Sequence, residues 1–145
     1  MKFTTEKPIR FHHCDPAGIV FYPQFFYLLH EVQEDFLAHI GFPEHVLIEA
    51  GKGIPIVNLK TEFLGMCRYG DSLKLSLELT RIGNTSIGMQ YEIYGGPDAG
   101  KMTIKLRAHG VVVYSEVPHG KAIAIPDDLR SALLPFLKPA PSAHD

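Results

Sequence analysis

Apolar and polar residues alternate with a period of two over most of the segment from residue 53 to residue 114. In the clearest stretch, Leu73, Leu75, Leu77 and Leu79 are separated by Lys74, Ser76 and Glu78. Successive side chains of a strand point to opposite faces, so this pattern predicts strands with one buried face. Glycine-containing turns at 83–85 and 95–100 separate the runs, which indicates an antiparallel sheet.

The same alternation gives the extent of each strand. We predict long strands over 55–63, 73–80, 87–94 and 102–114, a short first strand over 7–11 and a short last strand over 121–125. In the strand over 102–114, the inward residues are predicted to be Met102, Ile104, Leu106 and Ala108. The strand over 55–63 is predicted to be half-buried, with Val57 and Leu59 on its apolar face.

A helical period replaces the alternation over residues 23–40. Apolar residues fall there at helical spacing, and Pro23 suits a first helical position because its missing N–H costs nothing. The apolar arc covers about half of the helix circumference, so this helix needs a partner that wraps around it. Gln33 lies inside the arc and therefore needs a hydrogen-bond partner in the site, in the backbone or in another subunit. Short helices are predicted over 43–50 and from Asp127 or Asp128 to about residue 134.

Composition narrows the class of protein. The chain has 145 residues, which predicts one domain over 1–137 and a disordered tail over 138–145. Its 14 basic and 16 acidic residues give a net charge of −2, so no nucleic-acid partner is expected. Cys14 and Cys67 fit no disulfide framework and no zinc or redox motif. With no signal peptide and no apolar run long enough to span a bilayer, we expect a cytoplasmic protein without membrane contact.

An acidic loop directly precedes the long helix, in the segment His13-Cys14-Asp15-Pro16-Ala17-Gly18-Ile19-Val20-Phe21-Tyr22-Pro23. Free N–H groups at a helix start can hold a carbonyl oxygen beside the Asp15 carboxylate. Pro23 has no N–H, so the donor is Tyr22 or one around 24–26. Gly18 allows the chain to fold back closely. Taken alone, Asp-Pro-Ala-Gly is typical of ordinary turns.

The segment Asp-Pro-Ala-Gly-Ile-Val-Phe-Tyr-Pro, followed by an aromatic-rich helix and four or five strands, resembles the hotdog-fold thioesterases of the 4-hydroxybenzoyl-CoA thioesterase family. The resemblance implies an α+β fold, in which an antiparallel sheet of five to six strands wraps around one long central helix. It also implies that Asp15 is the catalytic carboxylate and that the Tyr22 N–H polarises the thioester carbonyl. The substrate-binding residues implied alongside them are His13, Pro16, Gly18, Ile19, Val57 and Asn58.

The same resemblance implies an acyl-CoA thioesterase for an aromatic or short acyl group, without a cofactor beyond the coenzyme A of the substrate. Asp15 acts either as a nucleophile or as a general base. Paired subunits, commonly a dimer of dimers, are expected to share the active sites. Rival readings are a broad short-chain acyl-CoA or acyl-carrier-protein thioesterase and a hotdog protein that binds acyl-CoA without hydrolysing it.

The turn between the third and fourth strands departs from the family, because it carries one Arg where related enzymes can carry a pair for the nucleotide phosphates. Candidate phosphate contacts are Arg81, Asn84, Thr85 and Ser86. A metal site at His12, His13, Cys14 and Asp15 is disfavoured, since neighbouring residues of an extended chain point to opposite sides. A Ser/His/Asp hydrolase is disfavoured because no Gly-x-Ser-x-Gly elbow is present.

Overall fold

One long helix and one five-stranded antiparallel sheet dominate the computed structural model, which describes residues 1–139. In chain order, the strands are β1 (Phe3–Pro8), β2 (Lys52–Gly53), β3 (Ile56–Phe63), β4 (Ser72–Ile82), β5 (Ser86–Asp98), β6 (Lys101–Val113), β7 (Ser115–Glu116) and β8 (Lys121–Ala122). The helices are α1 (Pro23–His39), α2 (Glu44–Glu49) and α3 (Asp127–Leu133), with 3-10 turns at Phe11–His13 and Leu134–Phe136.

The main sheet has the strand order β1-β4-β5-β6-β3, and every pairing in it is antiparallel. Helix α1 buries Val32, Phe36 and Leu37, and the sheet buries the alternating residues of β4 and β5. Leu75, Leu77 and Leu79 are completely buried, as the alternation predicts. Ser76 and Glu78 between them are buried as well, so the prediction of a single buried face is wrong for the middle of this central strand. The predicted α+β architecture with one long helix against a five-stranded antiparallel sheet is confirmed.

The two terminal strands differ from their predictions. The first strand occupies Phe3–Pro8 rather than 7–11, and residues Phe11–His13 form a 3-10 turn. Since β1 is an edge strand whose inward positions are only half-buried, its sequence carries little alternation in hydrophobicity. The predicted strand over 121–125 pairs only at Lys121–Ala122, in a separate three-stranded sheet with β2 and β7.

A bulge in β6 overturns part of the predicted inward face. Ile93 of β5 pairs with Leu106, but the next residue, Tyr94, pairs with Ile104, so Lys105 is an extra residue. An extra residue reverses the alternation beyond it. Lys105 is therefore buried and forms an ion pair with Asp98, while Met102 is 45% exposed. Leu106 and Ala108 lie inward, as predicted.

Strand β3 is not half-buried in the isolated chain. It lies at the edge of the sheet, and seven of its eight residues are exposed. Val57 and Leu59 are 61% and 37% exposed, although they alternate with polar residues as a buried face would. The strand therefore has an apolar face that the described chain covers only in part, where Phe63 packs against the start of α1.

The end of the described chain is held by the sheet, since the Lys138 N–H donates to the Leu79 carbonyl over 2.6 Å. The prediction of a disordered tail over 138–145 falls, from residue 140 onward, outside the described residues. Within residues 1–139, none of the helices has the length and hydropathy required to cross a bilayer.

Candidate active site

A tight hairpin holds Asp15 ahead of α1. The Asp15 N–H donates to the Ile19 carbonyl over 3.0 Å, and the Gly18 N–H donates to the Asp15 carbonyl over 2.9 Å. The Asp15 side chain accepts the Ala17 N–H at Oδ1 over 2.9 Å. Gly18 has φ +78°, a conformation that glycine adopts without strain. Within residues 1–139, Asp15 Oδ2 has no hydrogen-bond partner, so one carboxylate oxygen is fixed and the other is available.

A second segment, 67–69, supports the hairpin from outside. The Val20 N–H donates to the Cys67 carbonyl over 2.8 Å, and the Tyr69 N–H donates to the Gly18 carbonyl over 3.0 Å. Ile19 pairs with Arg68 between these two bonds. Sequence reasoning missed this support, because residues 64–69 carry no periodic signal. Ile19 thus contributes to the geometry of the loop through its backbone.

The backbone donors around the start of α1 differ in whether they already have an acceptor. The Gln24 N–H donates to the Phe21 carbonyl over 2.8 Å, and the Phe25 N–H donates to the Tyr22 carbonyl over 3.1 Å. Pro23 has no N–H to donate. In the described chain the Tyr22 N–H has no acceptor, and Tyr22 already has helical dihedral angles. Of the donors considered from the sequence, Tyr22 is therefore better placed than Gln24 or Phe25 to receive a carbonyl oxygen. The Phe26 N–H, the last of those donors, also has no acceptor in the described chain.

His13 links the hairpin to the helix start. Its carbonyl accepts the Phe21 N–H over 2.9 Å, and its Nδ1 accepts the Arg10 N–H over 2.9 Å. Burial and the adjacent His12 ring lower the pKa of His13 below its usual value. A neutral ring is the form that accepts the Arg10 N–H. His13 is buried and does not line the pocket at Asp15, so it positions the loop.

The Asp15 carboxylate opens into a pocket of about 490 Å³. The pocket is lined by Phe11, Cys14, Asp15, Pro16, Gly18 and Tyr69. The Phe11 and Tyr69 rings meet edge to face at 6.2 Å and form its apolar wall. Pro16 and Gly18 thus lie where the sequence predicted, and Phe11 and Tyr69 were not predicted. Among residues 1–139 there is no group of three or more His, Cys, Asp or Glu side chains that could hold a metal ion.

The other predicted contacts lie elsewhere in the chain. Val57 and Asn58 are exposed on edge strand β3, where Val57 is the extra residue of a bulge opposite β6. Residues 81–86 form the turn at the far end of β4, whose start lies next to the segment that supports the hairpin. Eleven strand residues at about 3.3 Å each place that turn roughly 35 Å away. The structure does not bring it to Asp15 of the same chain.

The arrangement is suited to acyl transfer. A carboxylate with one free oxygen can attack a carbonyl carbon or take a proton from water. A free N–H at a helix start, supported by the helix dipole, can stabilise the negative charge that develops on the carbonyl oxygen. The Asp15 carboxylate is oriented by the Ala17 N–H, and the Tyr22 N–H belongs to the backbone at the start of α1.

Comparison with known proteins agrees with this chemistry. Residues 9–133 match the profile of the Thioesterase-like superfamily. The chain is 27% identical over 138 residues to a 1,4-dihydroxy-2-naphthoyl-CoA hydrolase of Thermosynechococcus vestitus, covering 94% of this chain and 88% of that protein. It is 25% identical over 130 residues to the 4-hydroxybenzoyl-CoA thioesterase of Pseudomonas sp. strain CBS-3, covering 86% of this chain and 92% of that protein.

Among solved structures, the 1,4-dihydroxy-2-naphthoyl-CoA thioesterase of Synechocystis superposes with a TM-score of 0.82 at 25% identity, covering 96% of this chain and 100% of that chain. The Pseudomonas 4-hydroxybenzoyl-CoA thioesterase superposes with a TM-score of 0.81 at 25% identity, covering 90% and 98%. The predicted hotdog fold is confirmed by these superpositions.

Proposed function

The chain belongs to the Thioesterase-like superfamily, and from that premise we propose that it hydrolyses the thioester of an aromatic or other short acyl-CoA. The enzyme class, a thioester hydrolase, follows from relatives that are named hydrolases or thioesterases of acyl-CoA. The observation that carries the proposal is the pair of groups without partners in the described chain, Asp15 Oδ2 in the hairpin and the Tyr22 N–H at the start of α1. No cofactor takes part in the proposed reaction, because coenzyme A is part of the substrate.

In the proposed reaction, the Tyr22 N–H holds the thioester oxygen and the α1 dipole stabilises the charge that builds on it. Asp15 then follows one of two routes. Its free oxygen attacks the carbonyl carbon and expels coenzyme A thiolate, giving a mixed anhydride that water hydrolyses. Alternatively, it takes a proton from a water molecule that attacks the same carbon.

An aromatic acyl group is supported by the surroundings of the helix start. Phe63 of β3 packs its ring at 6.2 Å from Tyr22 and 6.3 Å from Phe26. Tyr22, Phe26 and Phe63 are each more than one third exposed, so this aromatic surface is open to a ligand. Rings offer large contact area and edge-to-face geometry to an aromatic substrate. The relatives named above act on naphthoyl and benzoyl thioesters.

We also propose that the enzyme works as paired subunits, as the apolar surface of edge strand β3 favours. An edge strand with exposed Ile56, Leu59 and Phe63 is a template for pairing with a second copy. In a dimer of dimers, coenzyme A phosphates would be bound only at another subunit's site by Arg81, Asn84, Thr85 and Ser86. Val57 and Asn58, at the sheet edge, would likewise contact the substrate only at another subunit's site.

Sedimentation velocity of the wild-type chain and of Leu59→Glu tests this pairing. We expect the wild type to sediment as a dimer or tetramer, because pairing buries the apolar face of β3. A charge placed on that face should shift the protein toward monomer. Lys60→Glu, on the opposite face of the same strand, is the control. A wild type that is fully active and monomeric at all concentrations contradicts the proposal.

Asp15→Asn tests the proposed function most directly. The substitution keeps the size and the oxygen that accepts the Ala17 N–H, but it removes the carboxylate charge. We expect kcat for benzoyl-CoA and 4-hydroxybenzoyl-CoA to fall by about 10²–10⁴-fold with little change in Tm. Asp35→Asn, at an exposed carboxylate paired with Lys7, is the matched control and should stay near wild-type activity.

Two further readouts separate the alternatives. An acyl-CoA-binding protein without catalysis predicts that Asp15→Asn leaves the measured hydrolysis unchanged, and that result would overturn the thioesterase. Single-turnover hydrolysis in heavy-oxygen water labels the Asp15 carboxylate when water opens the anhydride at the aspartyl carbon. Label in Asp15 therefore demonstrates the nucleophilic route, since the general-base route places label only in the released acid. Butyryl-CoA and long-chain acyl-CoA, assayed beside the benzoyl substrates, measure whether the enzyme prefers aromatic groups to simple chains.

A further inference from the structure

A second pocket runs along α1, away from Asp15. It has a volume of about 230 Å³ and lies between one face of α1 and the inner side of the β3 region. Its lining is Phe26, Leu29, His30, Gln33, Ile54, Pro55, Ile56, Leu59 and Tyr91. A cavity of about 150 Å³ is enough for benzene, so this pocket has room for more than one aromatic ring.

The floor of this α1 pocket is polar. Gln33 is 5% exposed, and its Oε1 accepts the Tyr91 hydroxyl over 2.9 Å. Burial raises the pKa of Tyr91, which keeps the hydroxyl protonated and able to donate. Within the described chain, the Gln33 Nε2 has no acceptor. The Nε2 is reached from the pocket rather than sealed in the core, so a ligand oxygen that enters the pocket can accept this N–H in place of water.

The α1 pocket begins one helical turn from the proposed carbonyl donor. Phe26, at its near end, follows Tyr22 by four residues, and Phe63 contacts both rings. Gln33, at its far end, follows Tyr22 by eleven residues, or roughly 16 Å along the axis. Helical side chains point back toward the N-terminus, which shortens this separation. The remaining distance still exceeds the length of a single benzoyl ring.

We propose that Gln33 determines acyl specificity by donating its Nε2 hydrogen bond to an oxygen on the distal part of a two-ring aromatic acyl group in the α1 pocket. The inference rests on the proposed thioesterase function and adds the size of the acyl group and the position of its oxygen. Tyr91 positions the amide by holding Oε1. An acyl group of the same size without the oxygen leaves the amide unpaired, and the enzyme discriminates against it.

The test compares 6-hydroxy-2-naphthoyl-CoA with 2-naphthoyl-CoA, which differ only in an oxygen on the second ring. For the wild type, we expect kcat/KM to be about tenfold higher with the hydroxylated substrate, the size of one hydrogen bond. The double variant Gln33→Met with Tyr91→Phe removes the amide and leaves no hydroxyl unpaired. It should bring the ratio close to one, mainly by lowering kcat/KM for the hydroxylated substrate. Gln90→Met, on the half-buried outer face of β5, is the control and should keep the wild-type ratio.

The outcomes separate this inference from the function on which it rests. A wild-type ratio near one overturns the role of Gln33, and this measurement needs no variant to fold. Equal losses for both substrates in the double variant also overturn it, since they indicate a purely structural role. In either case, hydrolysis of benzoyl-CoA that depends on Asp15 leaves the thioesterase intact. If no aromatic acyl-CoA is hydrolysed at all, the proposed function and this inference both fail.

Discussion

The Asp15 hairpin and the turn at residues 83–85 are both polar loops at the ends of elements, but they use their polar groups differently. In the hairpin and the helix start that follows it, backbone bonds fix the chain and leave Asp15 Oδ2 and the Tyr22 N–H without partners in the described structure. In the turn, Arg81 donates to the Ser86 hydroxyl over 2.8 Å, and Arg130 donates to the Gly83 carbonyl over 2.8 Å.

Backbone carbonyls of the turn also have hydrogen-bond partners. The carbonyls of Asn84 and Thr85 accept the N–H groups of Ile125 and Tyr114 over 2.9 Å and 2.8 Å. Groups that satisfy one another stabilise a fold, whereas oriented groups left without partners are available for a ligand. The comparison therefore favours the hairpin as the chemical centre and gives the turn at most a supporting contact through the remaining N–H groups of Arg81.

Of the substitutions that test this comparison, one at Gly18 should have the largest effect on activity, because it distorts the hairpin that we identify as the chemical centre. Gly18 has φ +78° and Gly120 has φ +69°, and neither has a neighbour within 4 Å of an added Cβ. Valine at either position costs about 1–2 kcal/mol of backbone strain. Because a shift of about 1 Å can cost 10²-fold in rate, Gly18→Val should lower kcat about 100-fold.

Gly120→Val is the matched control, since it strains a turn far from the hairpin. We expect a similar loss of Tm but wild-type kcat, measured with benzoyl-CoA. If both variants lose activity in proportion to their loss of Tm, the hairpin has no special role and the comparison fails.

Arg81→Ala should have a smaller effect that sharpens the comparison. An exposed charge contact contributes below about 1 kcal/mol, so we expect KM for benzoyl-CoA to rise two- to fivefold, or about 0.4–1 kcal/mol. KM for the benzoyl thioester of pantetheine, which lacks the nucleotide phosphates, should not change. Equal changes in KM for both thioesters, or no change for either, would show that Arg81 only stabilises the turn and does not contact the nucleotide phosphates.

Much of this architecture was predictable from local patterns. The period of two in β4 and β5 and the helical period of α1 identified the buried apolar residues, because the apolar face of each of these elements packs against the core. Asp15 was identifiable from its motif, and the exclusion of Pro23 as a donor followed from its covalent structure. The role of Gln33 was open, since a polar residue in an apolar arc only indicates that some partner exists.

The sequence by itself determined the fold class, the single long helix and the acidic loop before it, because local periodicity and turn chemistry specify elements one at a time. Only the tertiary structure decided three other features. The bulge at Lys105 reversed the end of β6, the bonds of Gln24 and Phe25 left Tyr22 as a free donor, and Tyr91 turned the Gln33 amide toward the α1 pocket. Each depends on partners distant in sequence or on exact backbone angles. Hydrophobic patterns record whether a side chain is buried, but they do not record which polar group it meets.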